Sequence, residues 1–221
     1  MRAETPTPRT LTRGGSCTGG KDARRGALPK SKVRWPGCLT GGEGGESVGV
    51  DMGLNPARIS MASEPPRAVV RIIGRAAVER ARDFDGAIRA LVGQGVREVY
   101  LNLAECPLLD STFSGTVAML AEERKEAGPL VTFTLVAAKS RIVDGLANLE
   151  VLPLLKVAEA GVVTGVTAGE VDVPLAETNR LEAGQFCLRA HRALMALSEE
   201  NRARFKELES MLASEVGEAS K

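Results

Sequence analysis

The sequence predicts an α/β fold: a small module with a mixed, largely parallel sheet packed against helices, followed by a C-terminal helical extension. Two observations carry this. Between residues 66 and 160, short β-branched runs alternate with stretches of helical apolar spacing, and Gly, Pro, Asp or Ser punctuates most boundaries. From about residue 177 onward the apolar spacing is helical only.

Taken in order, Ala68 to Ile73 is a β-branched run closed by Gly74, the pattern of a strand. Asp83 to Leu91 follows with Phe84, Ile88, Leu91 and Val92 at helical spacing, and Gly93 and Gly95 stop it. Val96 to Leu103 is the second strand, with Val99, Leu101 and Leu103 on one face and Tyr100 and Asn102 on the other. A turn at Pro107 leads to Asp110, a good N-cap for a helix running to about Lys125 with Val117, Leu120 and Ala121 as its inner stripe. Gly128-Pro129 ends that helix, and Glu122 to Glu126 reads as its solvated end.

Leu130 to Ala137 is a third clear strand. Ser140 can cap the next helix, whose stripe is Ile142, Val143, Leu146 and Leu149. Leu154 to Val157 reads as a last strand. Strands separated by helices in this way pair in parallel. A linker over residues 161–176 then gives way to two amphipathic helices over 177–214, with Ser198 as an N-cap and Glu199 and Glu200 in the first turn of the second. Packing of this pair on the module and self-association into a homo-oligomer both fit the pattern.

Residues 1–60 read differently. They hold 12 of the 24 glycines and a net charge of +5, which leaves −4 for the rest of a chain that totals +1. With little aliphatic periodicity, such a segment cannot bury enough apolar surface to offset its ordering entropy, so a disordered tail is expected. An alternative is a true start near Met61, just ahead of the first strand-like run. The tail's only aromatic is Trp35 and its basic residues are scattered, which argues against direct nucleic-acid binding.

The four cysteines form no C-x-x-C pair, and no apolar stretch approaches a membrane span, so a cytoplasmic protein without membrane contact is expected. His191, the only histidine, makes an i, i+4 pair with Cys187, but further zinc ligands at suitable spacing are lacking. No P-loop string occurs, and Gly41 to Gly45 has the look of a flexible linker. No cofactor is expected, and no acid/base pair or metal set converges, which points away from an enzyme.

The informative segment runs from Val99 through Asp110-Ser111-Thr112-Phe113-Ser114-Gly115. In element order and spacing, from about Val69 to Val157, the chain resembles the STAS domain of bacterial anti-sigma factor antagonists. In that family a strand leads to Asp-Ser-Ser-Gly-x-Gly at a helix start, and the third residue is the phosphoacceptor. The resemblance therefore implies Thr112 as phosphoacceptor, with Ser111 the alternative, and residues Asp110, Ser111, Thr112, Phe113, Ser114 and Gly115 as the partner-binding surface. It implies an anti-sigma factor with serine/threonine kinase activity as partner, and a serine/threonine phosphatase opposing it. Phe113 stands where the family has glycine, which would change the bulk beside the acceptor, and Asn102 stands where its strand usually ends in aspartate.

The residues alone support part of this. Asp110 accepts from free N–H groups of the first helical turn, while Ser111 and Thr112 are expected to project from that turn near solvent. A phosphate there adds a charge of about −1.5 to −2, tolerated by the helix dipole but repelled by Asp110 and obstructive to a partner. The competing expectation is a constitutive scaffold or oligomerisation module, in which the turn is only a helix cap.

Overall fold

The computed structural model describes residues 56–125, 128–158 and 164–219; the expected disordered tail lies almost wholly outside them. A six-stranded sheet is formed by β1 (Arg58–Glu64), β2 (Arg67–Ile73), β3 (Glu98–Asn102), β6 (Thr132–Val136), β7 (Lys156–Val157) and β8 (Val171–Asp172). A separate two-stranded ladder pairs β4 (Arg124–Lys125) with β5 (Gly128–Pro129). The helices are α1 (Val78–Gly93), α2 (Ser111–Glu122), α3 (Ser140–Asn148), α4 (Arg180–Leu197) and α5 (Glu199–Ala219).

The sheet order is β7-β6-β3-β2-β1-β8. From β2 through β3 and β6 to β7 each step is parallel and crosses by a helix, whereas β1 pairs antiparallel with β2 and with β8. The four parallel strands advance in one direction, so crossovers of the usual right hand put α1, α2 and α3 on one face. Burial follows that reasoning. Ala68, Val70, Ile72, Val99, Leu101, Phe133 and Leu135 are buried on one face, while the alternating residues of β3 and β6 stay half-exposed. On the buried side Phe84 of α1 lies 4.8 Å from Phe113 of α2 and 6.2 Å from Phe133 of β6, ring centre to ring centre. The expected mixed, largely parallel sheet with a C-terminal helical pair is what forms.

Several boundaries differ from the sequence reading, each for a local reason. Residues 57–60 belong to the fold and not to a tail: Ala57 and Ile59 are buried, and all of β1 from Arg58 pairs with β2. Met61, the expected alternative start, sits mid-strand opposite Val70 and Val171. The strand signal is weak here because Ser60, Ala62 and Ser63 leave the run with one β-branched residue, Ile59, before Pro65-Pro66 closes it. Within the expected linker, Val171–Asp172 forms β8 against Ser60 and Met61. α1 begins five residues before Asp83. α2 stops at Glu122, short of Lys125. Leu152–Leu154 is a 3-10 turn that confines β7 to two residues. Ser140 is the first residue of α3 and not its cap; Lys139 holds that position without a side-chain bond. Ser198 does cap α5, its hydroxyl accepting from the Asn201 N–H at 3.2 Å.

Arg80 and Asp83 fasten the segment after β8 to α1. Their buried ion pair spans 2.6 Å; Arg80 also donates to the Val173 carbonyl at 2.7 Å, and Asp83 accepts from the Ala176 N–H at 3.3 Å. Removing one member would strand the other charge in a nonpolar interior.

Ile59→Ala should lower the unfolding free energy by about 2–4 kcal/mol, the cost of a fully buried aliphatic side chain. Urea unfolding of the full chain reads it; a loss below about 0.5 kcal/mol, as expected for an exposed position, would put β1 outside the core.

Candidate functional site

The site grows from two loops at the C-terminal ends of β2 and β3. Gly74 donates to the Glu105 carbonyl, Ala76 to that of Leu108, and Asp110 back to that of Ala76, so the loops run side by side. Asn102 shapes the second loop by accepting the Ala104 N–H at 3.1 Å. Cys106 is fully buried beneath it, and burial pushes its thiol up.

At the end of these loops, Asp110 serves two helices. One carboxylate oxygen accepts the Phe113 N–H at 2.7 Å, capping α2 as the sequence predicts. The other accepts the Val78 N–H at 2.8 Å, so it also caps α1. Ala77 at the N-cap position of α1 has no side chain able to do this. Burial pushes the Asp110 carboxyl above its usual value, with the two N–H groups pulling the other way.

The three residues after Asp110 then point different ways. Ser111 lies half-exposed, its Oγ 3.0 Å from Nε2 of His191 on α4. Nδ1 of His191 is 2.9 Å from the Cys187 carbonyl, which can only accept. In the neutral ring the proton therefore sits on Nδ1, Nε2 presents its lone pair, and the Ser111 hydroxyl donates. His191 is itself buried, edge-on to Phe205 of α5 at 5.1 Å. Thr112 is only 4% exposed, its hydroxyl 3.4 Å from the Cys187 sulfur. Burial pushes the Cys187 thiol up, so it behaves as a neutral hydrogen-bonding group here.

One turn on, α2 and α4 meet backbone to backbone at Gly115 and Ala190. A Cβ placed on Gly115 would stand 2.8 Å from the Ala190 carbonyl carbon and nearer still to its oxygen. Only glycine permits this approach.

These contacts correct the expected exposure of the turn. Thr112 does not project into solvent, and Phe113, Ser114 and Gly115 are buried. Phe113 in particular faces the sheet core against Phe84, so its bulk does not lie beside the acceptor. Ser114 lines a small cavity of about 100 Å³ with Leu109, Arg141 and Ile142. The six residues are thus no open partner surface in this arrangement: α4 lies on Ser111, Thr112 and Gly115, Phe113 faces the sheet core, and Ser114 lines the cavity beside α3. Nor does Asn102 hydrogen-bond to Thr112; its amide oxygen is engaged by its own loop.

The residues that the sequence did not join to the turn are Cys187, Ala190 and His191. The i, i+4 spacing of Cys187 and His191 marked a shared helix face, but nothing in the sequence fixed what that face meets. Among the described residues, no three His, Cys, Asp or Glu side chains are placed to hold a metal, and no helix is long and apolar enough to cross a membrane. No protein-family model matches the chain, and no curated protein matches it.

Asp110→Ala should cost about 2–3 kcal/mol, twice an ordinary cap, because two helices lose an acceptor. A loss below about 1 kcal/mol in urea unfolding would show that the second cap contributes nothing. A pH effect follows from the raised folded-state value. The folded protein holds the Asp110 proton more tightly than the unfolded chain, whose value is 3.8. Stability from this group is fully present below 3.8 and declines as pH rises through the folded value. Unfolding of Asp110→Asn followed across the acid range should lack that decline; the same slope in both proteins would assign it elsewhere.

Proposed function

We propose that this chain is a non-enzymatic, STAS-like protein-binding module, an anti-sigma factor antagonist in bacterial transcription control switched by phosphorylation at the α2 turn. The observation that carries the reading is that the turn takes a helix onto its face, using both hydroxyls: Ser111 bonds His191 and Thr112 bonds Cys187. A face that accepts one helix through small and hydroxyl-bearing residues has the chemistry to accept another. A phosphate at either position would bring about −1.5 to −2 charges and three acceptor oxygens into a contact built for neutral groups. Binding would end through charge and bulk, while Asp110 continued to hold both helix starts.

The partner in this reading is an anti-sigma factor with serine/threonine kinase activity, and a phosphatase would restore the bound form. Ser111, the half-exposed residue of the two, is the nearer to solvent with α4 in place, and its hydroxyl must release His191 to reach a kinase. Thr112, the acceptor on the resemblance, becomes reachable only with α4 displaced.

The second reading, a constitutive scaffold without a switch, is favoured by one specific contact. The approach of Gly115 to Ala190 is as close as a permanent helix pair requires.

Phosphate mapping on the chain purified from its own cells, alongside Ser111→Ala and Thr112→Ala, separates these readings. The switch predicts phosphate on one of the two hydroxyls and its loss in the matching variant. In capture from native lysate, Thr112→Glu should reduce partner recovery about tenfold or more relative to Thr112→Ala, as a buried charge at an interface implies. Absence of phosphate together with equal recovery would leave the scaffold.

A further inference from the structure

The seam between α2 and α4 is unlike the core beneath α2. On the sheet side α2 buries Phe113, Val117 and Leu120, large apolar groups that stack against Phe84 and its neighbours. On the other side it presents Ser111, Thr112 and Gly115. The bonds there are side-chain contacts to His191 and Cys187. At the turn itself small and polar groups bury less apolar area than the sheet side of α2, so this part of the seam opens at lower cost than the sheet does, while Phe186, Leu188 and Leu194 of α4 supply the apolar share that holds it closed.

The chain leading into α4 is built as a hinge. The buried Arg80–Asp83 pair fixes Val173 and Ala176 on α1, but the main run from Pro174 to Arg180 is exposed. Beyond it, the first turns of α4 are tied to α1 by the half-exposed Arg82–Glu182 pair, and a surface ion pair of this kind is worth little. At the far end the hairpin is held by Asn201, whose amide donates to the Leu149 and Leu194 carbonyls at 2.8 and 3.1 Å while its own oxygen has no partner.

α4 and α5 also form a unit that can leave together. Arg192 and Glu209 pair across them at 2.6 Å, and His191 packs on Phe205.

We propose that the α4–α5 hairpin is a hinged cover that occupies the α2 turn in place of a partner. The competing partner element is an amphipathic helix with a small residue at the crossing opposite Gly115 and polar groups facing Ser111 and Thr112. The proposal rests on the turn being the partner-binding face. Partner affinity is then reduced by the fraction of molecules in which the cover is closed. The cover also controls the switch, since Thr112 is reached only from the open form.

Native-state hydrogen exchange on the full chain tests this without partner or kinase, so its outcome stands apart from phosphate mapping. Amides of α4 from Phe186 to Leu194 should exchange about 100-fold faster than those of Val99, Leu101, Phe133 and Leu135, through an opening that leaves the sheet intact. Gly115→Ala, which forces α4 away from α2, should speed α4 exchange about tenfold further with the sheet amides unchanged. Exchange of α4 and the sheet at one common rate in the wild-type chain would overturn the proposal, whether or not the variant folds. If α4 opens as expected but the turn carries no phosphate and captures no partner, the hinged opening stands, and the competition with a partner falls together with the functional reading.

Discussion

Two helix N-termini converge on the Asp110 carboxylate, and the placement of the site follows from that bond pair. Each helix start leaves N–H groups that its own turns cannot satisfy. α2 carries its own solution in sequence, because Asp110 is its N-cap. α1 does not, and borrows the second carboxylate oxygen from a residue 32 positions away. This locks the ends of α1 and α2 together above the sheet and fixes how α2 is rotated about its axis.

That rotation decides what each residue after Asp110 does. With about 100° per residue, Phe113, Val117 and Leu120 fall toward the sheet, while Ser111, Thr112 and Gly115 fall toward α4. The core side is apolar and closely filled, and it supports the module. The other side is small and hydroxylated, and it admits a helix at backbone contact distance. The sheet contact and the α4 contact therefore occupy opposite faces of one twelve-residue helix. A change on the α4-facing side can alter what lies on it without unravelling what lies below.

Much of the fold was legible because its signals are local. The β-branched runs of β2, β3 and β6, the Asp110 cap and the Ser198 cap each declare themselves within a few residues. The misses share a different cause. The start of α1 depends on a distant cap. β1 was hidden because it follows a Gly- and Pro-rich stretch and carries Ser and Ala where β-branched residues would signal a strand, and β8 because a two-residue strand gains its stability from its neighbours and not from its own sequence. The site was half legible for the same reason. Asp110, Ser111 and Thr112 could be read from one string, but their burial comes from α4, about 75 to 80 residues on. Sequence spacing on α4 put Cys187 and His191 on one face and could not say which helix that face would meet.

α4 docks on the α2 turn through the Ser111 hydroxyl and the His191 lone pair. Nitrogen-15 NMR of the His191 ring in the full chain at neutral pH reads this bond directly. The expected result is a single neutral tautomer with a protected proton on Nδ1, and an Nε2 resonance that moves in Ser111→Ala while the sheet amides stay in place. A ring that averages between tautomers in free exchange with water, with no response to Ser111→Ala, would contradict it.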